Sequence, residues 1–296
     1  MILTVLLAAL GVLTVAFTSV LIQTAWRRGE TRPTLESIGL GAVTNFFDTL
    51  GIGSFASTTA WLKFRKLVPD TFIPATLNVG HALPTVAQSA IFLVLLGVHV
   101  DPVLLVSCIV AAVLGALVGA PIVVRSSVRV VQGVVGLALL IAAVLFAMKN
   151  LNLMPAGGVA NALAPPYLYV AVVAHFIMGV LMAFGIGLYA PSLILLSLLG
   201  LDPRLAFPIM TSACAFLMPT TGFRFMKAER IDLRMILGIA IGGIPAVLAA
   251  AFIVKEMPMV ALRWCVVAVV LYAAVLLLRS AMRPAPQQES GIKLAQ

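Results

Sequence analysis

Two Gly-Ile-Gly segments carry the residues of this sequence that could do chemistry in apolar surroundings. Their glycines are Gly51 and Gly53 in the first segment and Gly185 and Gly187 in the second. Glycine allows a helix to break and a ligand to approach the backbone closely. A helix that begins at such a break presents unpaired N–H groups and the positive end of its dipole, which together favour an anion. The hydroxyl residues that could add donors are Ser54, Ser57, Thr58, Tyr189 and Ser192.

A second set of polar residues follows each segment at helical spacing. Asn78 and His81 form a polar stripe with Thr85 and Gln88 in the first half of the chain. The corresponding stripe in the second half contains Thr211, Ser212 and Thr220. Two polar stripes facing one another would make a central binding site, in which His81 could donate to an anion or relay a proton. His175 stands alone in an apolar stretch and is interpreted as a satisfied packing residue.

Asp48 lies three residues before the first glycine break, and no lysine lies at helical spacing to neutralise it. Two interpretations remain open for this carboxyl group. It is a candidate proton carrier, because carboxylates within membrane segments commonly mark proton relays. Alternatively, it caps a helix or forms a hydrogen bond near the interface. Aligning the two segments places Met182 opposite Asp48, so neither role is shared by the second half.

The composition requires a membrane as the surroundings of these residues. Hydrophobic residues make up 62% of the 296 residues, charged residues only 10%, and the mean hydropathy is +1.16, which excludes a soluble globular protein. The net charge of +9 comes from short basic clusters between apolar stretches, which indicates membrane topology and no nucleic-acid partner. The cysteines lack CxxC spacing and the methionines are scattered, so no metal site, disulfide or cofactor is predicted.

Apolar stretches of about 20 residues predict the elements that position the two segments. The stretches are Ile2–Ala25, Ile38–Leu62, Phe72–Val98, Val103–Val124, Val130–Met148, Tyr167–Leu199, Ala206–Phe223, Met235–Val254 and Val260–Leu278. The second and sixth stretches contain the Gly-Ile-Gly breaks and many small or polar residues. A plain lipid-facing helix would not tolerate that composition.

The distribution of basic residues predicts that both broken stretches are hairpins that enter and leave the membrane on one side. This arrangement moves Lys63, Arg65, Lys66, Arg125 and Arg129 to the cytoplasmic side and moves only Lys149 away from it, as the positive-inside rule favours. The N-terminus is then outside and the C-terminus cytoplasmic. The same rule accounts for the cluster that begins at Arg224, so Arg224 is not assigned to the anion site.

The two broken stretches also predict an internal repeat. Pro69 and Pro74 follow the first break with the same spacing as Pro203 and Pro208 follow the second. The predicted fold is an all-α polytopic membrane protein of two inverted repeats, each a broken re-entrant hairpin plus three transmembrane helices. A chance match of glycine- and proline-rich sequence is the alternative. The predicted boundaries are 1–148 (an extra N-terminal helix and the first repeat), 149–166 (linker), 167–283 (second repeat) and 284–296 (disordered tail).

The order of these features resembles the TauE/SafE family, also called the sulfite exporter or TSUP permease family. The resemblance covers about residues 38–280 and is clearest at Gly185-Ile186-Gly187 with Pro191, at Gly200-Leu201-Asp202-Pro203, at Thr211-Ser212 and at Thr220–Arg224. It implies transport of small sulfur-containing anions such as sulfite or organosulfonates without ATP hydrolysis. This chain departs from the family pattern at Ser54-Phe55, where no proline follows the break before Pro69.

The expected function is a secondary transporter, an exporter by the family name, that works by alternating access in a bacterial inner membrane. Its partners would be a small anion and the lipid bilayer. Coupling to protons through Asp48 is part of this hypothesis. An anion channel is the alternative, because re-entrant half-helices also line pores. A membrane-embedded enzyme is a more distant alternative, since the sequence contains no HExxH motif and no paired carboxylates.

Overall fold

The computed structural model describes residues 2–51, 53–95, 97–127, 151–153, 159–229 and 231–253, with isolated residues between 129 and 148 and between 271 and 282. Helices occupy most of these ranges. In chain order they are α1 (Ile2–Arg28), α2 (Leu35–Thr49), α3 (Ser54–Arg65), α4 (Ile73–Gly80), α5 (Ala82–Leu95), α6 (Pro102–Arg125), α7 (Pro165–Ala183), α8 (Tyr189–Leu198), α9 (Pro203–Lys227) and α10 (Leu233–Ile253).

Within the described part of the chain, six segments are long and apolar enough to cross a membrane: α1, Asp70–Leu95, α6, α7, α9 and Leu233–Ala251. The prediction of a polytopic, helical membrane protein is therefore confirmed. The predicted spans Val130–Met148 and Val260–Leu278 lie largely outside the described residues. The tail at 284–296 lies wholly outside them.

The first Gly-Ile-Gly segment separates α2 from α3 and turns the chain back on itself. Gly51 and Gly53 have φ angles of +82° and +88°, a region that residues with a side chain rarely adopt. Near the end of α3, Trp61 Nε1 and Arg65 Nε both donate to Glu36 Oε1 at the start of α2, at 3.1 and 2.9 Å. The far ends of α2 and α3 therefore meet, and the two helices form a hairpin.

The second Gly-Ile-Gly segment makes a hairpin of α7 and α8. Gly185 has a φ angle of +90° between the two helices. Ala160, shortly before α7, donates its N–H to Gly200 O at 3.2 Å and accepts from Asp202 N at 2.9 Å. Since Gly200 and Asp202 follow α8, the far ends of this hairpin meet as well.

The connecting segments gather at two ends of the helix bundle. At the first, which we call the basic end (residues 28–36, 63–70, 227–229 and 231–233), Arg28 Nη2 donates to Ile231 O at 3.2 Å and Leu233 N donates to Glu30 Oε2 at 2.9 Å. At the opposite end (residues 99–101, 159–164 and 199–203), the backbone N–H of Asp101 donates to Asn161 O at 3.0 Å. The α2–α3 hairpin has its termini at the basic end, and the α7–α8 hairpin has its termini at the opposite end.

The predicted span Phe72–Val98 differs from a single helix in one respect. α4 ends at Gly80, His81 adopts φ −86° and ψ −5°, and α5 begins at Ala82. Pro84 has no N–H to donate to the carbonyl of Gly80, which accounts for a break at this position. His81, expected in the middle of a helix, lies in the turn between two helices. By contrast, α9 continues through both of its internal prolines.

Close glycine contacts join each hairpin to a long helix. α10 packs on α2 and α6 packs on α7, with little more than backbone between the helices. The contacting pairs are Gly238 with Ser37, Gly242 with Ile38, Gly115 with Phe176 and Gly119 with Val180. Glycine allows two helix backbones to approach this closely because it has no side chain. In both helix pairs, residues later in one helix contact residues later in the other helix. Each long helix therefore runs parallel to the first helix of the hairpin that it contacts.

Candidate functional site

The two glycine breaks meet at one buried cavity. Its volume of about 20 Å³ is room for roughly one water molecule, so an anion as large as sulfite requires the walls to move apart. The lining residues come from both hairpins, from α5 and from α9. They are Asp48, Gly53, Ser54, Phe55, Thr85, Met182, Gly187, Leu188, Tyr189, Cys214 and Met218.

Most of the cavity wall consists of residues at matching positions of the two Gly-Ile-Gly segments. One constant shift along the chain relates four pairs of lining residues. These pairs are Asp48 and Met182, Gly53 and Gly187, Ser54 and Leu188, and Phe55 and Tyr189. The same local geometry therefore contributes twice to one cavity, with different side chains on its two sides.

Asp48 caps the N-terminus of α3 from inside the cavity. The side chain is buried, and its Oδ1 accepts the backbone N–H of Ser54, the first residue of α3, at 2.5 Å. The sequence left two interpretations of Asp48 open, and in the structure its side chain caps a helix. A capping carboxylate interacts favourably with the N–H groups and dipole of a helix start. The Asp48 carboxylate thus occupies the position at which the sequence analysis expected a bound anion.

Tyr189 stands across the cavity at the start of α8. Its hydroxyl donates to Gln88 Oε1 of α5 at 2.5 Å and also lies within hydrogen-bonding reach of the Asp48 carboxylate. Gln88 is buried, and its Nε2 has no hydrogen-bond partner among the described residues. An unpaired buried donor is costly and calls for an explanation.

The N-terminus of α8 differs from that of α3 because no side chain caps it in the described structure. α8 begins at the cavity wall, where Gly187, Leu188 and Tyr189 lie side by side. Gly187 leaves room at this point, since an added Cβ would meet only the Phe55 Cβ, at 3.5 Å. The uncapped helix start and its dipole therefore form the more accessible of the two positions for an anion.

His81 lies one layer outside the cavity and fixes α3 to its neighbours. Asn45 Nδ2 donates to Gly41 O at 2.8 Å, which leaves the Asn45 Oδ1 to accept the His81 Nδ1–H at 2.9 Å. His81 Nε2 then accepts the hydroxyl of Thr58 at 3.0 Å. Both His81 and Thr58, predicted as anion ligands, are thus engaged with protein groups.

The α7–α8 hairpin contains a similar contact. His175 Nδ1 donates to Ala171 O at 2.8 Å, and Nε2 accepts the Ser192 hydroxyl at 3.0 Å. His175 is buried with both nitrogens paired, as expected of a packing residue. Ser192 occupies the position in α8 that Thr58 occupies in α3, so each short helix is held by a histidine.

Residues of each half brace the glycine break of the other half. Gly51 packs against Phe207 of α9. Gly185 packs against Leu77 of α4, and Asn78, next in the same helix, donates to Met182 O at 2.9 Å just before the second break. Gly51, Gly185 and Asn78 therefore lie outside the cavity and support the chain that forms it.

The remaining predicted site residues also lie outside the cavity. Ser57, Thr211 and Thr220 donate to carbonyls of their own helices at Ser54, Phe207 and Phe216. Ser212 and Ser89 form a hydrogen bond of 3.0 Å between α9 and α5. The sequence-predicted site residues that the structure brings together at the cavity are Asp48, Gly53, Ser54, Gly187 and Tyr189, joined by Thr85 of the first polar stripe.

Apolar spans around two broken hairpins place this chain in the class of multi-pass membrane proteins. Residues 167–295 match the model of the sulfite exporter TauE/SafE family, so over this part of the chain the resemblance predicted from the sequence is confirmed. The matched range includes the second hairpin, α9 and α10. Comparison with curated proteins and with solved structures gave no significant match.

Proposed function

We propose that the protein is a secondary transporter of small sulfur-containing anions such as sulfite or organosulfonates. The convergence of both glycine breaks on one buried cavity carries this proposal. An anion there would receive backbone N–H donors and the field of two helix dipoles without a buried cation. In the described part of the chain, no lysine or arginine lines the cavity. The family match supports the substrate class, and export is the direction that the family name suggests.

The transport mechanism that we propose is alternating access between two inverted repeats. Three features support the repeats: the matched pairs of lining residues, the hairpin termini at opposite ends of the bundle, and the parallel packing of a long helix on each hairpin. In each case the long helix belongs to the other half of the chain. Rocking of the halves would carry the cavity from one side to the other, and Asp48 is the candidate for coupling this movement to protons.

The proposed orientation places the basic end of the bundle in the cytoplasm of a bacterial cell, with the N-terminus outside. Basic residues concentrate near this end, as the positive-inside rule requires of cytoplasmic segments. They include Arg27, Arg28, Arg32, Lys63, Arg65, Lys66, Lys227 and Arg234. The opposite end contains Asp101 and Asp202, each capping a helix.

A channel is the second candidate, because broken hairpins also line pores. The small cavity and the need for its walls to move favour a transporter. Counterflow in proteoliposomes separates the two: unlabelled anion outside should accelerate exit of labelled anion from a transporter, whereas a channel shows no such acceleration. An enzyme finds less support, since among the described residues no group of three or more His, Cys, Asp or Glu side chains is placed to hold a metal ion and the sequence offers no paired carboxylates.

Thermal stabilisation of the purified protein tests the proposed function. Sulfite, thiosulfate and methanesulfonate would be compared with carboxylates and phosphonates of similar size. A ligand present at about 100 times its Kd stabilises the folded state by roughly 2.7 kcal/mol, so we expect a clear rise in Tm with at least one sulfur anion. A rise only with a carboxylate or phosphonate would reject the substrate class. No rise with any anion would reject the anion site.

A further inference from the structure

We propose that Asp48 competes with the transported anion for the N-terminus of α3 and yields it only when the carboxylate takes up a proton. Each monoanion would then be bound together with one proton. This inference rests on the proposed anion transport and adds to it the atoms at which coupling occurs.

The competition follows from the occupancy of the first donor of α3. The backbone N–H of Ser54 already donates to Asp48 Oδ1 at 2.5 Å. An anion at this helix start must displace the Asp48 carboxylate or remain in contact with it, because the cavity that Asp48 and Ser54 line has a volume of only about 20 Å³. A protonated carboxyl group is a weaker acceptor and carries no charge. Protonation therefore releases the donor and removes the repulsion in one step.

The α8 side of the cavity offers further hydrogen-bond donors to the anion. The N-terminus of α8 is not capped by a side chain, and the Tyr189 hydroxyl lies beside it. The buried Gln88 Nε2, next to Tyr189, has no hydrogen-bond partner within the described structure. Gln88 does not itself line the cavity, but it contacts the lining residue Tyr189. Its unpaired donor is an observation independent of the helix terminus, and an acceptor that enters between the separated walls would satisfy it.

The groups around Asp48 offer no other way to balance a second negative charge. The titratable groups that face it are the Tyr189 hydroxyl from α8 and the Cys214 thiol from α9. His81, at the turn between α4 and α5, is held by Asn45 and Thr58. No lysine or arginine among the described residues borders the cavity. An ionised Asp48 and an anion would be like charges in contact, which disfavours the ionised carboxylate.

The coupling step is a proton transfer between water and the Asp48 carboxylate. A proton from the aqueous phase forms an O–H bond with a carboxylate oxygen, the hydrogen bond from Ser54 is released, and the anion accepts that donor. When the anion leaves on the other side, the O–H bond breaks, the proton returns to water, and the carboxylate caps α3 again. A monoanion and a proton cross together without net charge.

Binding of thiosulfate and of methanesulfonate to the purified full-length protein, followed across pH, tests this inference. Neither probe changes its protonation between about pH 5 and 9, so any pH dependence belongs to the protein. We expect the Kd of the wild-type protein to rise about tenfold per pH unit above the titration of Asp48. In Asp48→Asn, the amide oxygen can still accept from Ser54 without a charge, and its Kd should be constant with pH and close to the wild-type value at low pH.

Asp101→Asn is the matched control, because Asp101 Oδ1 caps α6 through Leu104 N at 2.8 Å outside the cavity. This variant should retain the wild-type pH dependence. In proteoliposomes, wild-type uptake of methanesulfonate should carry about one proton per anion, which an external pH indicator measures. Anion binding by the wild-type protein that is independent of pH, or an Asp48→Asn variant with the wild-type slope, would overturn the inference but not the proposed function. No binding at any pH would overturn both.

Discussion

Replacing Gly187 by leucine is expected to abolish anion binding while the protein still folds. Gly187 does not adopt a positive φ angle, so its backbone conformation is open to other residues. A Cβ at this position would make an ordinary contact of 3.5 Å with Phe55. The rest of a leucine side chain would extend into a cavity of about 20 Å³. The side chain would therefore cover the start of α8, where the anion is proposed to bind.

Gly187→Ala and Gly39→Leu make this prediction quantitative. The alanine adds a single carbon and should weaken binding by at least about tenfold, which corresponds to roughly 1.4 kcal/mol. Gly39 lies in α2 with nothing within 4 Å of an added Cβ, so Gly39→Leu should bind the anion as the wild-type protein does. Titration calorimetry on folded, monodisperse protein measures the Kd of each variant for comparison with the wild-type value. Unchanged affinity in Gly187→Leu would remove the second break from the site.

Gly115→Leu should prevent the protein from folding stably. A Cβ at Gly115 would overlap the carbonyl oxygen of Phe176 in α7, and a backbone atom cannot rotate away as a side chain can. α6 and α7 would have to separate along their contact, so we expect a loss of at least about 3 kcal/mol. That loss is a large fraction of the stability typical of a folded protein. Yield of monodisperse protein and Tm in detergent measure the effect.

Gly11→Leu provides the control for this packing prediction. Gly11 lies in α1, and nothing stands within 4 Å of an added Cβ, so the same substitution should leave yield and Tm close to their wild-type values. A Gly115→Leu variant that melts at the wild-type temperature would contradict the close contact between α6 and α7. It would also weaken the proposed symmetry, because the contact of α10 with α2 is its counterpart.

The helix breaks could be predicted from the sequence because their cause is local. Gly51, Gly53 and Gly185 adopt φ values that other residues rarely adopt, and glycine is the residue type that marks such positions. The hairpins could also be predicted from the sequence, because the positive-inside rule depends on counts of basic residues and not on tertiary contacts. The close helix contacts at Gly115 and Gly242 follow from small residues in apolar helices in the same way.

The contents of the cavity could be predicted only in part. Met182, Cys214 and Met218 line it without any polar signal in their residue types, and only the spacing between the two breaks would have indicated Met182. The bond from Tyr189 to Gln88 joins residues far apart in the chain. No local pattern encodes a contact of that kind.

The hydroxyl residues illustrate the opposite difficulty. Thr211 and Thr220 have the residue type of an anion ligand, but each donates to the carbonyl four residues earlier in its own helix. Serine and threonine in membrane helices readily form this bond, so residue type alone overestimates the number of donors available to a ligand. For Asp48 the helix cap was one of the two interpretations that the sequence left open, because a carboxylate shortly before a predicted helix start is a capping signal.

Locating a bound anion tests the central claim most directly. Selenite has the shape and charge of sulfite, and its selenium scatters anomalously, so crystals grown with selenite would show its position without reference to the protein density. The account predicts one anomalous peak inside the cavity, in contact with the backbone at Gly187, Leu188 and Tyr189 on the α8 side and with the Ser54 N–H on the α3 side, with the cavity wider than in the present structure. A peak at the protein surface alone, with the cavity unchanged, would contradict an anion site formed by the two glycine breaks.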